Sequence, residues 1–149
     1  MKRKKIDIFF ILFDIGFTLE NSSVFQSQVG NKMIFLKSLG YKVGILTLYE
    51  NKLKFDKKIG AKLKSNGIKL FLIKKSFFII DLIKIIFYSN ILLFKFKVKN
   101  YYCRSFWGAL IINFSNPFFK NKYTYDIRGD TLDEYKSIKM NRLKKNIYF

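Results

Sequence analysis

The sequence contains no histidine, one cysteine and one proline. Without histidine, the commonest general base and the commonest metal ligand are missing, so Ser-His-Asp and Cys-His catalysis is excluded within this chain. A lone Cys103 excludes an intrachain disulfide and a cysteine-based zinc cluster. We therefore predict no metal site. The scarcity of proline leaves no Pro-rich linker, and this indicates a single domain spanning residues 1–149.

Acidic residues are also scarce, with 10 Asp plus Glu against 29 Lys plus Arg and a net charge of +19. Half of the chain is hydrophobic, which excludes the composition of a disordered protein. Lysine, used 25 times against four arginines, belongs with Phe, Ile, Asn and Tyr to the residues that AT-rich codons encode. Because nucleic-acid recognition favours arginine, the charge alone does not predict nucleic-acid binding.

Two apolar runs carry charges that argue against membrane insertion. Residues 6–13 follow a basic start, but Asp7 interrupts them and no small-residue cleavage site follows, so they predict a first buried strand. Residues 77–94 contain Asp81 and Lys84 and predict an amphipathic helix. We expect a cytoplasmic protein. Peripheral contact with the inner, anionic face of a membrane is kept as an open alternative.

Strand and helix patterns alternate along the chain. Predicted strands cover residues 6–13, 43–49, 68–73, 98–103 and 123–127. The helices between them begin near Ser23, continue in a Lys-rich segment that ends at Gly67, and then cover residues 77–93 and 105–112. A capping box of Ser23 and Gln26 opens the first helix, and Gly40 closes it. A final polar helix starts near Thr131, and residues 136–149 form a basic helix and tail.

This alternation predicts a doubly wound, mostly parallel α/β sheet of Rossmann-like type, with about five strands and helices on both faces. Ligands of such sheets bind beyond the carboxyl ends of the strands. No Gly-x-Gly-x-x-Gly or Walker motif follows the first strand, so no nucleotide cofactor is predicted for this chain. The candidate binding residues at these ends are Ser22, Ser23, Arg104, Asp126, Arg128, Gly129 and Glu134.

Each candidate has a structural alternative. Ser22 and Ser23 are typical helix caps, and Glu134 falls in an acidic helix start that the helix dipole favours. Arg104 is placed to meet an anion at a helix start, or to form an ion pair with a nearby acid. Catalytic residues are not predicted.

Four segments resemble the N-terminal domain of family-four glycosyltransferases, which are retaining enzymes of the GT-B type. They are residues 36–47, which join the first helix to the second strand, residues 102–105, the Asp-x-Arg-Gly turn within 125–129, and the acidic pair 133–134. The resemblance covers residues 6–145. Ser22-Ser23 replaces the glycine usual in the family, and the histidine of many relatives is absent.

The resemblance implies an acceptor-binding half of an enzyme that transfers a sugar from a nucleotide-sugar to a glycan or lipid-linked acceptor. It implies no obligatory metal, and a donor-binding half with a Glu-x7-Glu motif that these 149 residues do not contain. This chain is then half of a split or truncated enzyme, and whether it is an enzyme by itself stays open. The alternatives are a non-enzymatic basic module that binds a membrane or RNA, and an inactive gene fragment.

Overall fold

Five strands form one all-parallel sheet in the computed structural model, which describes residues 3–13, 18–21, 23, 25–115 and 122–126. The order across the sheet is β3-β2-β1-β4-β5, and every neighbouring pair is parallel. The prediction of a doubly wound, Rossmann-like α/β sheet is thereby confirmed. The strands are β1 (Lys4–Leu12), β2 (Val43–Tyr49), β3 (Lys69–Lys74), β4 (Phe96–Arg104) and β5 (Lys122–Asp126).

Helical segments connect the first four strands and follow the fourth. The first, α1, is π-helical over Phe25–Gly30 and α-helical over Asn31–Ser38. The second, α2, runs through Lys52–Phe55, a π-helical turn at Asp56–Gly60, and Ala61–Ser65. The remaining two are α3 (Phe78–Lys95) and α4 (Phe106–Ser115).

Glycines in the left-handed region end α1 and α2. Gly40 has φ +86° and Gly67 has φ +68°. Their N–H groups donate to the carbonyls of Lys37 at 3.0 Å and Lys64 at 2.9 Å. Such caps satisfy the last carbonyls of a helix, and glycine takes positive φ without a Cβ clash. The predicted ends of both helices are confirmed.

The sheet separates two hydrophobic layers. On one face, α3 and α4 cover β1 with Ile85 and Ile111 against Phe9 and Ile11. On the other face, α1 and α2 cover it with buried residues that include Met33, Phe55, Ile59 and Leu63. Successive residues of β1 therefore point into different layers, which explains why that strand is a continuous apolar run.

Element boundaries agree with the sequence patterns to within a few residues. β2 covers the predicted residues 43–49, and β4 begins two residues earlier than predicted. The predicted helix from Thr131 and the predicted basic tail 136–149 lie outside the described residues. In the described part, no helix has both the length and the apolar character that crossing a membrane requires.

Candidate functional site at the carboxyl edge

The direction of winding changes between β1 and β4, which lie side by side in the centre of the sheet. β1 leads to α1 on one face, whereas β4 leads directly to α4 on the other. Loops that depart to opposite faces leave a crevice at the carboxyl ends of two such strands, and ligands of doubly wound sheets bind there. The polar side chains at these ends are therefore the candidate site.

Arg104 and Asp126 lie side by side at this edge. They are register partners at the ends of β4 and β5, and both are half-buried. Because partners on neighbouring strands project to the same side, the guanidinium and the carboxylate share one face of the sheet. The hydroxyl of Tyr102, two residues before Arg104, donates to the carboxylate of Asp126. Residues 24 positions apart are thus joined at the strand ends.

Lys32 of α1 adds a second cation on the same face. Its Nζ lies 4.1 Å from the centre of the Tyr102 ring, which also packs against Phe10 with ring centres 4.6 Å apart. Cation–π contacts of this kind hold an ammonium group over an aromatic face. The arrangement combines two cations, one carboxylate and one hydroxyl, which are groups that bind sugar hydroxyls and phosphate oxygens.

Ser105 is the one non-glycine residue with positive φ, 80°, within the described residues. It lies between the end of β4 and the start of α4. Its Oγ donates to the carbonyl of Phe13 at 2.8 Å and accepts from the Gly108 N–H at 3.4 Å. These bonds join the ends of β1 and β4 and cap α4, and they offset a backbone conformation that costs about 1–3 kcal/mol.

Gly108 lets α4 approach the sheet closely. A Cβ at this position would lie 3.1 Å from the Cβ of Cys103 and 3.3 Å from the carbonyl oxygen of Ile11. Burial raises the pKa of the Cys103 thiol to about 11. The thiol is therefore protonated near neutral pH and is a poor nucleophile.

A second polar group lies at the end of β2. The buried carboxylate of Glu20 accepts through Oε1 from the N–H groups of Glu50 at 2.5 Å and Asn51 at 3.2 Å. Asn51 caps α2 through its side chain. Glu20 thereby anchors the segment after β1 to the start of α2, where a negative charge is favoured.

Glu50 itself faces outward from this group. Its carboxylate pairs with Lys75 at 2.5 Å and accepts from the Asn21 amide at 2.6 Å. Those two contacts, Lys75 first, hold the pKa of Glu50 below its ordinary value. The group links the ends of β1, β2 and β3 by ion pairs and hydrogen bonds, so its present contacts are structural.

The structure describes three of the seven predicted site residues, Ser23, Arg104 and Asp126. Arg104 and Asp126 come together, whereas Ser23 is exposed ahead of α1. Ser22, Arg128, Gly129 and Glu134 lie outside the described residues. The predicted partner of Ser23 in the capping box, Gln26, directs its amide to the carbonyl of Glu20 at 3.2 Å.

Sequence reasoning missed Lys32 and Tyr102. In the sequence, Tyr102 looks like the other apolar residues of its strand, and nothing distinguishes Lys32 from the other 24 lysines. The available signal was that Tyr102 and Arg104 are two positions apart and so share a strand face.

No set of three Cys, Asp and Glu side chains that could hold a metal ion occurs among residues 3–13, 18–21, 23, 25–115 and 122–126.

Comparison with known proteins found no matching family model, no matching curated protein and no matching solved structure.

Proposed function

We propose that this chain is the acceptor-binding half of a GT-B glycosyltransferase, which transfers a sugar from a nucleotide-sugar to a glycan or lipid-linked acceptor. The observation that carries the proposal is the side-by-side position of Arg104 and Asp126 at the strand ends beside the β1–β4 crevice. A sugar presents hydroxyl groups that both donate and accept. The Asp126 carboxylate accepts from such groups, and the guanidinium of Arg104 donates to them or to an acceptor phosphate.

The first strand end supports an acceptor role over a nucleotide role. Gly16 is the only glycine in the sequence between β1 and α1. The Gly-x-Gly-x-x-Gly pattern that lets a backbone bind a diphosphate closely is therefore missing. In the proposal, a separate donor-binding domain holds the nucleotide-sugar. Arg128 and Gly129 follow Asp126 by two and three residues in the sequence, and the family resemblance alone assigns them to the acceptor site.

Glycan binding by the full chain tests the proposal. A printed glycan array identifies a ligand, and saturation-transfer NMR then compares that glycan with UDP-glucose. We expect a glycan to bind and UDP-glucose not to bind. Arg104→Gln and Asp126→Asn should each weaken glycan binding by about tenfold or more, the effect of losing one charge-assisted hydrogen bond.

Lys97→Gln is the matched control. Lys97 is exposed near the opposite end of β4, so this variant removes one positive charge from the same strand without touching the carboxyl edge. It should retain the affinity of the parent chain. Equal losses in Lys97→Gln and Arg104→Gln, or no bound glycan on the array, would contradict the proposal.

A second candidate is a basic RNA-binding module without catalytic function, which the net charge of +19 favours. Binding to poly(U) that falls steeply with salt, and that Arg104→Gln and Lys97→Gln weaken equally, would support this candidate instead.

A further inference from the structure

The helix α3 is apolar on nearly all sides. Its inner stripe packs on the sheet through buried residues that include Ile85 and Leu92. Ile79, Ile83 and Phe87 follow one another at four-residue spacing on the opposite side. A helix of a small globular protein ordinarily turns a polar face to water, whereas one that is hydrophobic all round is covered on every side.

The outer stripe is well exposed. Ile79, Ile83 and Phe87 are 69%, 62% and 62% exposed. The neighbouring α4 adds Phe106 and Phe114, which are also exposed and lie eight positions apart on one side of that helix. With the exposed Phe77 and Ile80, these side chains expose an apolar area that sums to the order of 900 Å² over two helices that pack against each other. Exposed apolar area of this kind marks an interaction surface. We call the surface formed by Phe77, Ile79, Ile80, Ile83, Phe87, Phe106 and Phe114 the apolar face.

The charged residues on the helices of the apolar face are mainly basic. Residues 82–125, which contain most of α3 and all of β4 and α4, include no Asp or Glu. Asp81, just before this stretch, is buried and held by Ser76 and Lys84. Lys95 is exposed at the end of α3.

This charge decides between the occupants of the apolar face. Two copies of a chain with net charge +19 repel each other, which disfavours a dimer through this surface. An anionic phospholipid surface attracts lysines and also offers an apolar layer directly beneath its headgroups. Apolar side chains with basic neighbours match that combination.

We propose that the apolar face docks on an anionic phospholipid bilayer. α3 lies along the bilayer surface, with Ile79, Ile83 and Phe87 entering the boundary between headgroups and acyl chains. Lys95 contacts the lipid phosphates. This proposal goes beyond glycan binding and does not depend on it, because the surface belongs to the outer sides of α3 and α4 and not to the carboxyl edge.

Vesicle flotation of the full chain tests the docking. The chain is mixed at about 0.15 M NaCl with phosphatidylcholine vesicles, or with vesicles in which about one third of the lipid is phosphatidylglycerol. We expect binding to the anionic vesicles and at least tenfold weaker binding of the triple variant Ile79→Ser/Ile83→Ser/Phe87→Ser, since lipid contact scales with apolar area.

The other helix layer offers a matched control. Phe35, Leu39 and Leu53, at α1 and α2, are 58–73% exposed, so Phe35→Ser/Leu39→Ser/Leu53→Ser removes a similar amount of exposed apolar surface. It should bind the vesicles like the parent chain. Circular dichroism establishes that both triple variants are folded, and a single Ile83→Asp variant repeats the test with one exposed change.

Each contrary outcome overturns the proposal. Equal binding by the parent and the Ile79/Ile83/Phe87 variant would show adsorption by charge alone. Equal losses in both triple variants would show that no particular face is used. A stable dimer of the parent in sedimentation equilibrium, dissociated by Ile83→Asp, would assign the face to a second copy.

Discussion

The helices α2 and α3 cover opposite faces of the same sheet but present different surfaces to their surroundings. α2 attaches to the sheet with Phe55, Ile59 and Leu63, and its outer side carries the exposed lysines Lys57, Lys58 and Lys62. α3 has a partly polar inner stripe, in which Asp81 and Ser89 are buried, and an exposed apolar outer stripe. A few buried apolar residues at helical spacing are thus enough to attach a helix here. Attachment of α3 to the sheet therefore does not explain why its outer side is apolar.

The largest expected effects come from the inner faces, where the two layers should be alike. Ile85→Ala and Leu63→Ala each remove a fully buried side chain, one from α3 and one from α2. Each should lower the free energy of unfolding by about 2–5 kcal/mol, because the deletion leaves a cavity. Urea unfolding measures both. Ile83→Ala and Leu53→Ala, which change exposed residues, should stay within about 0.5 kcal/mol. A loss below about 1 kcal/mol in one inner variant only would mean that the layers are unequally packed.

Smaller effects are expected at the two buried carboxylates, since each layer has one at a helix start. Glu20 binds the N–H groups of Glu50 and Asn51, and Asp81 binds the N–H and hydroxyl groups of Ser76. Alanine at position 20 or 81 should cost about 1–3 kcal/mol, because part-buried N–H and hydroxyl donors lose their acceptor.

The amide variants sharpen this comparison. Glu20 accepts through Oε1 alone among the described contacts, whereas Asp81 accepts through both oxygens. Glu20→Gln can keep its acceptor, but Asp81→Asn replaces one acceptor by a donor. We expect Glu20→Gln to lose less stability than Asp81→Asn in urea unfolding, and the reverse order would contradict these contacts.

The smallest effects concern pH. The Lys42 N–H, 3.0 Å away, is the main cause that holds the pKa of Asp7 below its ordinary value, and Lys5 adds to it. Lys75 does the same for the pKa of Glu50. A carboxylate with a depressed pKa stabilises the fold at neutral pH, and this contribution is lost as pH falls through the folded-state pKa. Asp7→Asn should therefore lower stability at pH 6 and flatten its decline in acid.

Glu50→Gln should have the smaller effect of the two, well under about 1 kcal/mol, because its side chain is 42% exposed against 15% for Asp7 and solvent screens the ion pair. Urea unfolding at a series of pH values measures both. An unchanged acid slope in Asp7→Asn would show that its contacts with Lys42 and Lys5 do not contribute.

Much of the fold could be predicted, because its signals are local. The apolar run of β2, the three-residue stripe of α2, and Gly40 and Gly67 each act within one element or at its end. The candidate site was predictable only in outline. Arg104 and Asp126 were expected at strand ends, but their side-by-side position depends on the pairing of β4 with β5, and Tyr102 acquires its partner through that same pairing.

The sequence by itself determined the alternation of strands and helices, the ends of α1 and α2, and a positive charge that no acid balances over residues 82–125. These follow from periodicity, from glycine conformation and from composition, which need no partner across the molecule. Only the tertiary structure decided the strand order β3-β2-β1-β4-β5, the juxtaposition of Arg104 with Asp126, and which apolar side of α3 faces outward. Because α3 has apolar residues on both sides, its sequence pattern alone does not show which side packs on the sheet. Packing against β1 and α4 selects the side that contains Ile85.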